Sequence, residues 1–195
     1  MNIQPVSLWE AGATLGEGVL WDASRSSIWF VDIKGCRIHR CAPDGSNRRS
    51  WAAPGQVSFI VPSSDGGMVC ALDDGLYRFL EADGRFVQLE RVEAGIPRNR
   101  FNDGHVDMHG RLWFGSMDEA EQVASGALYR FDDGKIARMD SGYVITNGPA
   151  FSPDGRTLYH TDTLGKRIYA FDVGVDGGLS GKRTFVEILG GDYPD

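Results

Sequence analysis

The chain has few cysteines, no long apolar run, no surplus of basic charge and almost no helical periodicity, and each shortage excludes a class of protein. Its three cysteines, Cys36, Cys41 and Cys70, are odd in number and form no Cys-x-x-Cys pair. That argues against a zinc knuckle and a disulfide framework, and points to a reducing cytoplasm as the compartment. No window approaches the roughly 18 apolar residues of a spanning helix, and Met1 to Glu10 lacks a basic stretch followed by an apolar run. Neither secretion nor a membrane partner is expected. A formal net charge of -7, with acidic residues scattered rather than in runs, disfavours nucleic acid and favours a small-molecule partner. Nothing in the residues specifies an oligomeric state.

What is present is a repeat. With 195 residues, 42% hydrophobic and 24% charged, the chain can bury a core as one soluble domain spanning 1–195. Four segments share one rhythm: a turn rich in Asp, Gly or Ser, a short aromatic or β-branched run, then a second run built around an aromatic and a basic residue. They are SRSSIWFVDIKGCRIHRC, SDGGMVCALDDGLYRFLEADG, MHGRLWFGSMDE with GALYRFDDG, and PDGRTLYHTDTLGKRIYAFDV. Ile28, Met68, Leu112 and Leu158 fall at equivalent points, at intervals of 40, 44 and 46 residues, which is the spacing of propeller blades. Gly66-Gly67, Asp74-Gly75, Asp83-Gly84, Asp133-Gly134 and Asp154-Gly155 supply hairpin turns. The one stretch with helical character, Asp118 to Ser125, is short enough to be a loop insertion. The fold class predicted is all-β, a β-propeller of about four blades. A two-sheet sandwich is the alternative, but it requires no recurring composite motif.

Propeller loops converge on the mouth of the central channel, so chemistry is sought in oxygen donors near blade beginnings. Four stretches supply them: LGEGVLW (15–21), RNRFNDGHVD (98–107), ITNGPAFSPDG (145–155) and the terminal YPD (193–195). Glu17, Asn102 with Asp103, Asn147 and Asp195 sit there beside Gly, Pro or Asn. Carboxylates and carboxamides suit calcium, magnesium or manganese. Asn102-Asp103-Gly104 and Asn147-Gly148 are equally ordinary turn formers. Glu17, between two glycines in an apolar run, is costly to bury without a partner.

These stretches, with WFVDIK, GRLWFGSM, GALYRF, YHTD and YAFD in the same order, resemble the regucalcin and gluconolactonase family, six-bladed propellers of which several members hydrolyse sugar lactones. ATLGEG, ARMD, ITNGP and YHTDTL look most like bacterial xylonolactonases and related aldonolactonases. The resemblance covers essentially the whole chain. It implies one divalent metal ion (Ca, Zn, Mn, Mg or Fe(II)) held by Glu17, Asn147 and Asp195, with Asp195 also the general base. It implies substrate binding by Arg100 and Asn102, with Asp103 as a supporting neighbour. The glycine the family places after Asp195 is absent, as are the last two blades, so the expectation is a ring incomplete at its C-terminal side. Pro5 to Ala11 reads as a strand awaiting a partner.

The implied reaction is hydrolysis of an aldono-lactone such as xylono-, arabinono- or gluconolactone. Two other functions remain open: a non-catalytic metal-binding or interaction propeller, and an arylesterase or organophosphate hydrolase on the same fold. The histidines His39, His105, His109 and His160 have no helical zinc spacing, and Ser116 and Ser152 lie in no Gly-x-Ser-x-Gly elbow. The tryptophans fall mostly at strand positions suited to packing between blades, with Trp21 and Trp113 as further pocket walls. Glu119 and Glu121 are expected as solvated charges of a loop able to cover the channel mouth.

Overall fold

In a computed structural model, which describes residues 4–195, the sequence forms four antiparallel four-stranded sheets, each laid down in chain order. Blade 1 holds β1 (Gly16–Asp22), β2 (Ser27–Asp32), β3 (Arg37–Cys41) and β4 (Arg49–Ala52). Blade 2 holds β5 (Ile60–Pro62), β6 (Met68–Leu72), β7 (Gly75–Leu80) and β8 (Arg85–Arg91). Blade 3 holds β9 (Asn99–Val106), β10 (Leu112–Asp118), β11 (Gly126–Asp132) and β12 (Lys135–Tyr143). Blade 4 holds β13 (Thr146–Phe151), β14 (Thr157–Asp162), β15 (Arg167–Val173) and β16 (Leu179–Glu187). Each segment of the repeat is the second and third strand of a blade, and the architecture is that of a β-propeller. Among the described residues no helix is long and apolar enough to cross a membrane.

The repeat exists because each blade has two faces to cover. Middle strands lie between neighbouring blades, so β6 (MVCAL) and β10 (LWFGSMD) are buried at every position. The buried side chains gather into three clusters, one for each seam. Trp29, Val31 and Ile38 of blade 1 meet Ile60, Met68 and Phe79 of blade 2. Val69 and Leu76 of blade 2 meet Phe101, Phe114 and Tyr129 of blade 3. Trp113 and Leu128 of blade 3 meet Leu158 and Phe171 of blade 4. Each large side chain so buried contributes about 1.5–3 kcal/mol. Outer strands are polar instead: β8 (RFVQLER) and β16 (LSGKRTFVE) are mostly exposed, and their charges discourage edge-to-edge pairing.

The turns follow the glycine signals, with φ between 68° and 82° at Gly66, Gly84, Gly134 and Gly155. Residues 118–125 close β10 and continue as a loop, its Gln122 and Val123 amides donating to Asp118. The N-terminal stretch departs from expectation. Residues 5–11 form no strand; they run as irregular chain along blade 1, where Trp9 packs edge-on against Phe30 and His39 and Arg48 donates to the Leu8 carbonyl. Among the described residues no backbone ladder pairs this segment with a strand, and side-chain contacts hold it.

Candidate functional site

Three of the four inner strands break register at the same height. Pairing shifts between Glu17 and Leu20 in β1, opposite Phe114 and Ser116 in β9, and between Asn147 and Ala150 in β13. An extra residue on one strand re-aims side chains out of the sheet's alternation. Gly18 at φ 59° and Gly148 at φ 76° provide the left-handed backbone that two of these shifts require. The result is one cavity of about 380 Å³, whose lining includes Glu17, Asn102, Asp103, Asn147 and Asp195. Five of the six residues singled out in the sequence are thus brought together, from three blades and the chain's end.

The sixth, Arg100, lies behind them. Its side chain is nearly enclosed and pairs through Nε with Glu119 Oε2 at 2.7 Å. Its Nη1 donates to Asn102 Oδ1 (2.7 Å) and to the Phe101 carbonyl (2.9 Å). Because Asn102 accepts there, its Nδ2 must donate, and it does so to the Thr146 carbonyl (2.7 Å) and Asn147 Oδ1 (2.6 Å). Asn147 in turn donates from Nδ2 to Thr163 Oγ1 (2.8 Å). A single direction of donation therefore runs Arg100, Asn102, Asn147, Thr163. It fixes both amides and leaves the Asn147 oxygen with a second lone pair.

Asp103 bridges blades: Oδ1 accepts from the Gly104 amide (2.8 Å) and Oδ2 from the Gly148 amide (3.1 Å). Burial nevertheless raises its pKa, and the Asp195 carboxylate adds to the rise. Glu17 is also raised, by burial first and then by the carboxylates of Asp195 and Asp103, with Arg100 pulling the other way. Carboxyl groups whose pKa is raised by neighbouring carboxylates mark a place short of positive charge. Among the described residues no three His, Cys, Asp or Glu side chains close a metal shell by themselves. The acids are spread around the cavity wall, and the Asn147 carboxamide stands among them. The donor set, all hard oxygen, fits a calcium-, magnesium- or manganese-like cation better than a soft one.

Glu119 is more than a solvated charge. From the loop after β10 it pairs with Lys34 of blade 1 and Arg100 of blade 3 and accepts from Gln56 Nε2 (3.3 Å), tying three blades at the cavity's end of the molecule. Burial alone would raise its pKa, but Lys34, Gln56 and Arg100 together hold it below the ordinary glutamate range. Its position after an aromatic-rich strand gives no hint of these partners, which lie 19 to 85 residues away in sequence. Trp113, one of the two pocket-wall candidates, is wholly enclosed in the seam of blades 3 and 4, while Trp21 stands exposed.

Comparison with known proteins follows the same lines. The family model described as SMP-30/Gluconolactonase/LRE-like region matches residues 15–195. The chain is 32% identical over 167 residues to the 6-deoxy-6-sulfogluconolactonase of Pseudomonas putida, a match covering 85% of this chain and 57% of that one. It is 31% identical over 190 residues to the L-arabinolactonase of Azospirillum brasilense, covering 95% and 63%. The crystal structure of a calcium-binding protein, regucalcin, from Agrobacterium tumefaciens superposes with a TM-score of 0.86 at 29% identity, covering 91% of this chain and 61% of that one. The chain spans less than two thirds of the length of these relatives.

Proposed function

The chain belongs to the SMP-30/gluconolactonase/LRE-like family, and on that premise we propose that its cavity is the cation-dependent site of a sugar-lactone hydrolase. The observation that carries the proposal is the convergence of Glu17, Asp103 and Asn147 on one cavity through shifts of register in three blades, with Asp195 lining the same cavity. The names of the relatives, a sulfogluconolactonase and an arabinolactonase, support aldono-lactones as the substrate class, with xylono-, arabinono- and gluconolactone as the substrates to test.

Glu17, Asn147 and Asp195 are the residues that would hold the cation. Once bound, it would supply Lewis-acid polarisation of the lactone carbonyl and stabilise the developing oxyanion. The chain's own groups do the rest. Asp195, at the open rim of the cavity, accepts the proton from the attacking water. Asn102, both of whose amide hydrogens are already engaged, accepts from a ring hydroxyl with the remaining lone pair of Oδ1, and Arg100 holds that carboxamide in one orientation. Asp103, already engaged by two backbone amides, sets the spacing of blades 3 and 4 beneath the site. No covalent nucleophile is required.

Lactone opening releases a proton, so a pH-indicator assay on the full chain with added calcium, manganese, zinc or ferrous ion tests the proposal directly. The expected result is a cation-dependent rate that Glu17→Gln abolishes. Cation binding without turnover on any lactone would favour a non-catalytic metal-binding propeller, and turnover of aryl esters or organophosphates in preference to lactones would favour the third function. A cation affinity unchanged in Glu17→Gln would remove the site itself.

A further inference from the structure

At the other end of blade 1 the chemistry inverts. The turn between β1 and β2 lies about five residues along the strand from Glu17, or about 17 Å, and the start of β4 lies across the sheet at its far edge. There a second cavity, of about 450 Å³, is lined by Arg25, Arg40, Arg48 and Arg49 with Ser26, Ser27, Ala42 and Asn47, and by no acidic residue. A neighbouring cavity of similar size, toward blade 2, shares Arg25 and Arg49 and adds Arg78, which is paired with Asp65, and the acidic Glu81. This concentration of arginine stands out in a chain whose net charge is -7.

Two features separate this cluster from a solvated charged face. First, Arg40 and Arg49 are direct cross-strand partners in the β3–β4 pairing, an arrangement that like charges disfavour. Arg40 is offset by Glu81 and Arg25 by Asp22, but Arg48 donates only to the Gly45 and Leu8 carbonyls. Arg49 makes no side-chain hydrogen bond or ion pair among the described residues, so the cavity keeps a formal surplus of two positive charges. Second, two of the four guanidinium groups are held in place. Arg40 lies over Trp29 at 5.6 Å and Trp51 at 6.0 Å, and Arg48 over Trp9 at 5.8 Å. Arginines fixed on aromatic faces lose little further freedom when an anion arrives, and their forked donors match phosphate oxygens.

We propose that this cavity is an anion site, remote from the carboxylate cavity, that takes a phosphate group, either free phosphate or a phosphate ester. The ligand would offset the uncompensated charge of Arg48 and Arg49 and fasten the irregular N-terminal stretch, through Arg48 and Trp9, to blade 1.

Inorganic phosphate titrated against the full chain, at ionic strength matched with sodium chloride and with thermal unfolding as readout, tests this. Unmodified protein, Glu17→Gln and the remote control Arg167→Ser should all show a saturable rise in midpoint. Arg49→Ser and Arg48→Ser should each lose about tenfold in apparent affinity, the scale of one charge-assisted contact. A hexose 6-phosphate that binds more tightly than phosphate identifies an ester ligand, and equal binding identifies the free anion. The proposal is overturned by the absence of a saturable shift, by a shift unchanged in both arginine variants, or by its loss in Glu17→Gln, which would move the anion to the carboxylate cavity.

Discussion

Blade 2 is built from the same strands as blades 1, 3 and 4, yet it gives the cavity nothing polar. The inner strands β1, β9 and β13 run for 7, 8 and 6 residues through their shifts of register. In blade 2 the inner strand β5 is only 3 residues long, and the chain ahead of it carries Val57, Ser58 and Phe59, all buried. Ser58 spends its hydroxyl on the Phe101 carbonyl at 2.5 Å. Phe59 turns inward beneath Gly18 and Gly104, so close that a β-carbon on Gly104 would fall 2.8 Å from its ring. One blade thus serves as a wedge against which the other three place their donors. A ligand set in this fold depends on where the backbone departs from regular pairing, not on how many acids the loops carry.

The sharpest way to break the comparison is to remove the wedge. Phe59→Ala leaves a cavity in the seam of blades 2 and 3 and should cost about 3–5 kcal/mol in chemical denaturation. Because Phe59 is not among the residues that line the carboxylate cavity, cation affinity measured calorimetrically on the folded fraction should fall far less than that stability. An equal loss in both would mean that blade 2 is part of the site. Next in size is a contrast between two carboxylates at the same end of the molecule. Glu17 faces the cavity, whereas Asp73 of blade 2 accepts from the Gln56 amide; burial raises the pKa of both. Glu17→Gln should weaken cation binding on the order of 100-fold, at least the scale on which a residue that supports a metal site acts. Asp73→Asn should leave it unchanged. A smaller effect is expected from the backbone itself. Gly18→Ala has room, its nearest neighbour being Val31 at 3.5 Å, but it places a β-carbon at φ 59° and should cost about 1–2 kcal/mol. The loss should appear in cation affinity too, since the shift at Glu17 depends on that conformation.

The blades were legible because burial in the seams is periodic. Ile28, Met68, Leu112 and Leu158 each begin or nearly begin a second strand, and all but Ile28 are enclosed. Local turn chemistry was legible for the same reason: a short hairpin needs a positive φ, and glycine supplies it. The donors of the cavity were visible as residue types, but their connections were not. Arg100 directs Asn102, Asn102 directs Asn147 forty-five residues later, and no spacing announces that order. Glu119 and Phe59 were invisible for a related reason, since each takes its role from blades other than its own. The arginine cavity was hidden by the scatter of charge along the chain; only the β3–β4 register sets Arg40 against Arg49.

The mildest test of the comparison is its pH dependence. Glu17 and Asp103, in blades that face the cavity, have pKa values raised by burial and by neighbouring carboxylates. A carboxyl group raised on folding binds its proton more tightly in the native state. Its contribution to stability is therefore present at low pH and lost as pH rises from the unfolded value through the native one. The cation-free protein should lose this contribution on going from acid toward neutral pH, and Glu17→Gln should remove the Glu17 share. Protons and cation compete for the same oxygens, so the stabilisation by added calcium should grow over the interval in which the cation-free protein weakens. In Asp73→Asn the calcium dependence should keep the unmodified profile, because the blade 2 carboxylate lies outside the competition. If Asp73→Asn flattens that profile as Glu17→Gln does, the distinction between wedge and ligand blades is lost.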